Sequence, residues 1–206
     1  MRYTGPKCRL CRREGTKLFL KGERCYPNKC PIDRKGPVAP GQHGMKSGWR
    51  ISDYGKHLRA KQRVRRFYNL SEQQFKNYFV QAVKAKSNAG LVLLQLLETR
   101  LDTVVYRLGF VSSRHTARQM IRHGMILVDG KKVNIPSYQV RPDQVVSLSP
   151  KGTKHAEVKA AAKNDGYKVP DWLSKKAMAG KLVRLPLREE IETDFEEDLI
   201  VEFYSR

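Results

Sequence analysis

Residues 97–140 read LETRLDTVVYRLGFVSSRHTARQMIRHGMILVDGKKVNIPSYQV, and the spacing of their apolar side chains decides the fold. Leu101, Val104, Val105 and Leu108 recur at helical spacing, and Gly109 stands where a helix C′ residue is expected. Ser113 is an N-cap for a second helix, SRHTARQMIRH, with Gly124 behind it. Met125 to Val128 then meets Lys131 to Ile135 across Asp129-Gly130, a pair that supplies the positive φ angles a tight hairpin demands. Val145 to Leu148 supply a further strand. The stretch predicts helices packed on a small antiparallel sheet.

The charges in this stretch are arranged as well. Arg114, Arg118 and Arg122 recur every four residues and form one cationic stripe, while Ala117, Met120 and Ile121 share a face that packs on the hairpin. Arg100 and Arg107 share a face of the preceding helix. With Lys131 and Lys132 on the hairpin, they predict a concave cationic surface suited to the backbone and shape of structured RNA. Replacing Arg114, Arg118 and Arg122 together is expected to weaken RNA binding and flatten its salt dependence. A single arginine on a helix is ordinarily just a solvated face; repetition within a strongly basic chain is what argues for a polyanion.

That basicity is large. The 206 residues hold 41 Lys and Arg against 20 Asp and Glu, a net charge of +21. Residues 1–66 carry +15 of it, and the last twenty residues reverse sign to −6. Such an excess repels itself unless a polyanion neutralises it, and nucleic acid leads over an anionic membrane surface. No stretch approaches the ~18 apolar residues of a membrane span. The opening MRYTGPKCRL lacks the apolar centre of a signal peptide, so a cytosolic location is expected.

In the cytosol thiols stay reduced, and clustered cysteines favour metal over disulfide. All four cysteines, Cys8, Cys11, Cys25 and Cys30, fall in the first thirty residues as C-x2-C-x13-C-x4-C. Two close pairs can complete a tetrahedron around one ion, and four thiolates leave no open position, so the metal staples and does not catalyse. Zn2+ leads; a four-thiolate iron–sulfur cluster uses the same ligands. Residues 1–45 otherwise read as turns and loops, a metal-stapled basic arm. His43 and His57, with the metal site already full, are expected to face phosphate.

Residues 46–97 read as a small helical bundle. Ser52 caps a basic helix through Arg66, Ser71 and Gln74 form a capping box, and a third helix covers Leu91 to Leu97. Residues 153–164 are helical, Trp172 and Leu173 are anchors, and Leu182 to Leu185 form a short strand. In the tail, Asp194 with Glu197 suggests a helix and the alternation of Leu199, Val201 and Phe203 a strand; helix is favoured.

Two strings, RLDxVVYRLGF and SRxxARQxIRHGxIxVDGxxVxIPSYxV, resemble the RNA-binding module named after small-subunit ribosomal protein S-four, also found in certain tRNA synthetases and pseudouridine synthases. Further along the chain RYTGPKCRLCRREG, LKGERCYPNKC, PGQHG, SDYGKHLRAKQRVRRFY and the terminal IVEFYSR extend the resemblance to the bacterial S-four ribosomal family itself. Some members lack the cysteines, so the chain is similar to the metal-binding subgroup.

The resemblance implies an α+β fold: a metal-stapled arm (1–45), a helical domain (46–97, completed by 185–206), and an inserted RNA-binding module with an extension (98–184). It implies binding to a multi-helix junction in the 5′ domain of 16S rRNA early in subunit assembly. It also implies a place near the channel by which mRNA enters, and contact with ribosomal protein S-five that influences decoding accuracy. No catalysis, membrane or homo-oligomer is expected. An RNA-modifying enzyme would need a separate catalytic domain, and the cysteine spacing does not match a DNA-reading finger.

The candidate RNA contacts in the first half are Arg2, Tyr3, Arg9, Arg12, Arg13, Lys21, Arg34, Lys35, Gln42, His43, Lys46, Arg50, Tyr54, Lys56, Arg59, Lys61, Gln62, Arg65 and Arg66. In the module they are Arg100, Arg107, Ser113, Arg114, Arg118, Gln119, Arg122, His123, Lys131, Lys132, Ser137 and Arg141. The acidic Glu189, Glu190, Glu196, Glu197 and Asp198 are expected to face a neighbouring protein, because they would repel phosphate.

Overall fold

The computed structural model describes residues 3–26, 29–46, 51–85, 87–162, 167–191 and 195–205. Arg2, Arg50, the side chain of Lys46 and the expected cap Asp194 lie outside the described residues. The helices in chain order are α1 (Lys7–Glu14), α2 (Pro31–Lys35), α3 (Asp53–Phe67), α4 (Glu72–Val83) and α5 (Ala89–Glu98). They continue with α6 (Leu101–Arg107), α7 (Arg114–Arg122), α8 (Pro150–Thr153), α9 (Ala156–Ala162) and α10 (Glu197–Ser205). The strands are β1 (Ile126–Val128), β2 (Lys131–Lys132), β3 (Val145–Leu148), β4 (Leu173–Lys176) and β5 (Ala179–Leu182). The chain divides into two compact units, residues 1–93 with 193–206, and residues 94–192.

In the first unit the expected caps are present. The backbone N–H of Gly55 donates to Ser52, and Ser71 with Gln74 closes the reciprocal capping box. Phe67, Phe75, Phe79, Phe195 and Ile200 are buried. The tail is a helix: α10 packs along α3 and sets the Tyr204 ring on Phe79 at 4.6 Å. The arm departs from expectation. It is not all loop, because α1 and α2 occupy part of it. Cys8 and Cys11 are three apart, so one helical turn places both on one face, and a metal-type spacing is satisfied by a helix as well as by a loop. Arg12 and Arg13 close the last turn and Gly15 follows at φ 72°.

The second unit holds a five-stranded antiparallel sheet in the order β2-β1-β3-β5-β4. Its core joins α6 and α7 to the sheet through Leu101, Val105, Leu108, Met120, Ile121, Ile126, Val146, Trp172 and Leu182, all nearly fully enclosed. The β1–β2 hairpin turns through Asp129 (φ 49°) and Gly130 (φ 77°), as the Asp-Gly pair demands. The expected strand at Leu182 to Leu185 is displaced. β5 ends at Leu182 and pairs with β4 across a turn containing Ala177 at φ 49°, while Leu185 is exposed. No Gly or Asn marks that turn, which hides the hairpin from a sequence reading. No helix among the described residues is long and apolar enough to cross a membrane.

Candidate nucleic-acid interface and cysteine cluster

The arginines of α6 and α7 do not form a solvent-facing stripe. Asp102 is 1% exposed. It accepts from Arg100 Nε at 3.0 Å and Nη2 at 2.9 Å, and from Arg118 Nε at 2.6 Å. Glu98, equally enclosed, takes both Nε (3.0 Å) and Nη2 (2.8 Å) of Arg107. Arg114 is buried with its guanidinium 4.5 Å from the centre of the Tyr106 ring. Four of the expected RNA contacts, Arg100, Arg107, Arg114 and Arg118, are therefore internal braces. The cause for Arg100, Arg107 and Arg118 is a pair of buried carboxylates, Glu98 at the end of α5 and Asp102 in α6, which draw these guanidiniums inward. Burial alone would push the Asp102 carboxyl up; Arg100 and Arg118 outweigh it and hold it below the usual carboxylate range. Ser113 is likewise buried, its Oγ accepting from the Thr116 backbone N–H at 3.2 Å.

What remains outside is a compact ledge. Gln119, Arg122 and His123 are exposed at the end of α7, and Lys131 and Lys132 are exposed on β2. Gly124, in the left-handed region at φ +65°, joins the two. A Cβ there would lie 1.7 Å from Lys132 Cε, so the absent side chain leaves the lysine stem room to lie over the helix end. Arg141 is exposed and Ser137 half-buried.

In the first unit Arg9, Arg13, Lys21, Arg34, Lys35, Gln42, His43 and Lys56 are exposed, as are Tyr3 and Tyr54. Lys56 pairs with Asp53 at 2.9 Å. Others are engaged within the protein. Arg12 donates to the carbonyls of Val38 (2.9 Å) and Ala39 (3.1 Å) and pins the proline-rich turn. Arg59 and Arg66 both reach the enclosed Glu14. Lys61 is buried, paired with Glu72 at 2.6 Å and 4.3 Å from the Phe203 ring centre, so its ammonium does not face outward. Arg65 donates to Gln62 at 2.7 Å. His57 does not face phosphate either: it is buried, with Nε2 2.6 Å from Glu202.

Of the acidic candidates, Glu189, Glu196 and Asp198 are exposed. Glu190 instead turns back on its own segment, accepting from Arg184 Nη1 at 2.7 Å and from the Leu187 backbone N–H at 2.8 Å. Glu197 is half-buried and packs over Gly90. The sequence reading did not single out Glu14, Glu72, Glu98 or Asp102. Asp102 carried a signal, a carboxylate inside the apolar run LDTVV.

All four cysteines are free and line one cavity of about 20 Å³ with Lys7, Leu20, Lys21, Arg24, Pro31 and Ile32. The Lys21 backbone N–H lies 3.4 Å from Cys25 Sγ. Burial pushes the Cys11 thiol up to about 11, against the backbone hydrogen bond at Leu18, and the charges of Cys25, Cys8 and Cys30 add to it. Burial raises Cys25 as well. Such thiols are stable as thiols alone and become thiolates beside a cation. As the side chains stand, the described residues contain no group of three or more His, Cys, Asp or Glu that could hold a metal ion.

Residues 2–98 match the ribosomal protein S4/S9 N-terminal domain family, and residues 99–146, which hold α6, α7 and the β1–β2 hairpin, match the S4 domain family. The small ribosomal subunit protein uS4 of Natranaerobius thermophilus is 53% identical over 210 residues, covering 100% of this chain and 99% of that protein. The uS4 proteins of Dictyoglomus thermophilum and Thermus thermophilus are 54% and 51% identical over 208 residues, with the same coverage. Matched along its whole length and through both compact units, the chain belongs to the uS4 family of small ribosomal subunit proteins.

Proposed function

We propose that this chain is a non-enzymatic structural component of the small ribosomal subunit that binds 16S rRNA through positioned cationic side chains. The observation that carries this reading is the ledge of Arg122, Lys131 and Lys132, exposed on a module whose Arg100, Arg107, Arg114 and Arg118 are locked internally. Rigid placement lets phosphate contacts form with little ordering cost, and guanidinium and ammonium groups read backbone shape. The finer reading is that the RNA is a multi-helix junction of the 5′ domain, bound early in assembly. The protein then sits near the channel by which mRNA enters, in the cytoplasmic ribosome. Glu189, Glu196 and Asp198 suit contact with a neighbouring protein, chiefly S-five, with an effect on accuracy.

The cysteine cluster belongs to the same proposal. Cys8, Cys11, Cys25 and Cys30 would hold Zn2+, or in the alternative an iron–sulfur cluster, and the metal would staple the arm. Four thiols around one small cavity within a basic segment support this. Surrounding cations offset the negative charge of a tetrathiolate site.

The test is competition between a 5′-domain 16S rRNA fragment and an unrelated RNA of equal length at rising salt. Preference for the fragment that persists as salt rises is expected; equal retention of both RNAs would overturn the reading.

A further inference from the structure

Glu14 is the last residue of α1, where the helix dipole disfavours an acid. Its side chain is 0% exposed. Oε1 accepts from Arg59 Nη1 at 3.1 Å and from Arg66 Nη1, and Arg63 and Arg13 also act on this carboxylate. Arg59 and Arg66 bond this carboxylate directly, and burial pushes the Glu14 carboxyl up against the pull of the surrounding guanidiniums. Arg63 Nε, Arg66 Nε and Glu14 Oε2 are buried and have no hydrogen-bond partner among the described residues. Arg66 thereby keeps a donor that no acceptor among the described residues takes.

A cleft of about 460 Å³ opens beside the cluster, lined by Tyr3, Arg9, Leu10, Arg13, Pro40 and Arg66. That volume falls within the roughly 300–1,000 Å³ of sites that enclose a small ligand. Arg9 and Arg13 are exposed, and Tyr3 presents an aromatic ring at 41% exposure. Guanidiniums match phosphate oxygens in pairs, and an exposed ring offers a platform for an unstacked base.

We propose that this cleft takes one nucleotide of rRNA, its backbone phosphate on Arg9, Arg13 and Arg66 and its base against Tyr3, with Glu14 as a positioning residue. The inference rests on the rRNA-binding reading and adds a site to it. Glu14 fixes the Arg66 fork at the cleft wall and ties α1 to α3, so the phosphate meets guanidiniums already in place.

The role of Glu14 has a test in which the two explanations differ in sign. Removing a negative charge from an RNA-binding surface raises affinity if Glu14 only neutralises; it lowers affinity if Glu14 positions Arg66. The full-length wild type, Glu14→Gln, Arg13→Ala and Tyr3→Leu would be titrated with the 5′-domain fragment between 50 and 200 mM salt, a range over which phosphate contacts change affinity by orders of magnitude. Glu14→Gln is expected to bind about tenfold more weakly despite its extra positive charge. Arg13→Ala should lower the slope of log K against log salt by about one. Tyr3→Leu should weaken binding at an unchanged slope. Tighter or equal binding by Glu14→Gln, an unchanged slope for Arg13→Ala, or wild-type affinity for Tyr3→Leu would overturn the assignment. Should Glu14→Gln fail to fold, Arg13 and Tyr3, both exposed, decide it. If the wild type itself shows no preference for the fragment, the rRNA-binding reading falls and this inference with it; a wild type that binds beside unaffected variants removes this inference alone.

Discussion

Arg118 and Asp102, sixteen residues apart on successive helices, are joined by a 2.6 Å bond from Nε to Oδ2 in a site where their side chains are 9% and 1% exposed. Arg100 occupies the other edge of the same carboxylate. One buried acid thus holds the start of α6 against α7. Asp102→Asn removes the buried charge that both guanidiniums bond and is expected to destabilise the second unit by about 3–5 kcal/mol. Denaturant unfolding followed by the buried Trp172, in a chain with Trp49 replaced by Phe, measures it. A loss below about 1 kcal/mol would contradict the brace.

The pH dependence follows from the same carboxyl. Its folded value lies below the ordinary 3.8, so the unfolded chain binds the proton more readily. The stability it contributes is present above pH 3.8 and is lost as pH falls through the folded value. Acid titration of unfolding should therefore show a limb below about pH 3.8 in the wild type, reduced in Asp102→Asn.

Glu98 and Arg107 form a buried bidentate pair, which allows a different outcome. Arg107→Met alone leaves a buried carboxylate and should cost about 3–5 kcal/mol, whereas Arg107→Met with Glu98→Leu should be neutral or stabilising by about 1–4 kcal/mol. A double-mutant cycle on unfolding free energy, with Glu98→Leu as the second single variant, checks it; a double-variant loss equal to the sum of the two single losses would mean the pair is not energetically coupled.

For RNA binding, the outward side chains matter. Replacing Arg122, Lys131 and Lys132 with Ala should reduce the salt slope of rRNA binding by about 2–3, at roughly 0.7–0.9 per phosphate contact, with the melting temperature nearly unchanged. Replacing Arg114 and Arg118 should instead lower the melting temperature, because both are internal. Their loss of RNA binding would then report unfolding.

This division marks how far the sequence could be read. Ser52, Ser71 with Gln74, Ser113 and Asp129-Gly130 each act through neighbours a few residues away, and each is found where local chemistry places it. The four-residue repeat of Arg114, Arg118 and Arg122 fixes their angular relation but not which side meets the core. That was decided by Asp102, which bonds Arg118 from the preceding helix. The same limit hid Lys61, whose partners Glu72 and Tyr204 lie on other helices, and Glu14, whose arginines lie 45 and 52 residues on. The β4–β5 hairpin escaped because its turn uses Ala177 in a conformation that Gly or Asn ordinarily announces.

Zinc binding should be coupled to proton release. Burial holds the Cys11 proton up to about 11 without metal, so adding Zn2+ to metal-free protein at pH 7 should release protons, and affinity should rise with pH. Cys11→Ser should abolish stoichiometric metal. Elemental analysis with an absorption spectrum of protein purified without oxygen separates zinc from an iron–sulfur cluster; absence of either would remove the staple.

Sedimentation through a sucrose gradient, with the tagged chain expressed in a bacterium, tests the ribosomal role most directly. The expected result is one copy of the chain travelling with each small subunit and remaining after a salt wash. A chain that stays at the top of the gradient while small subunits assemble without it would contradict the role.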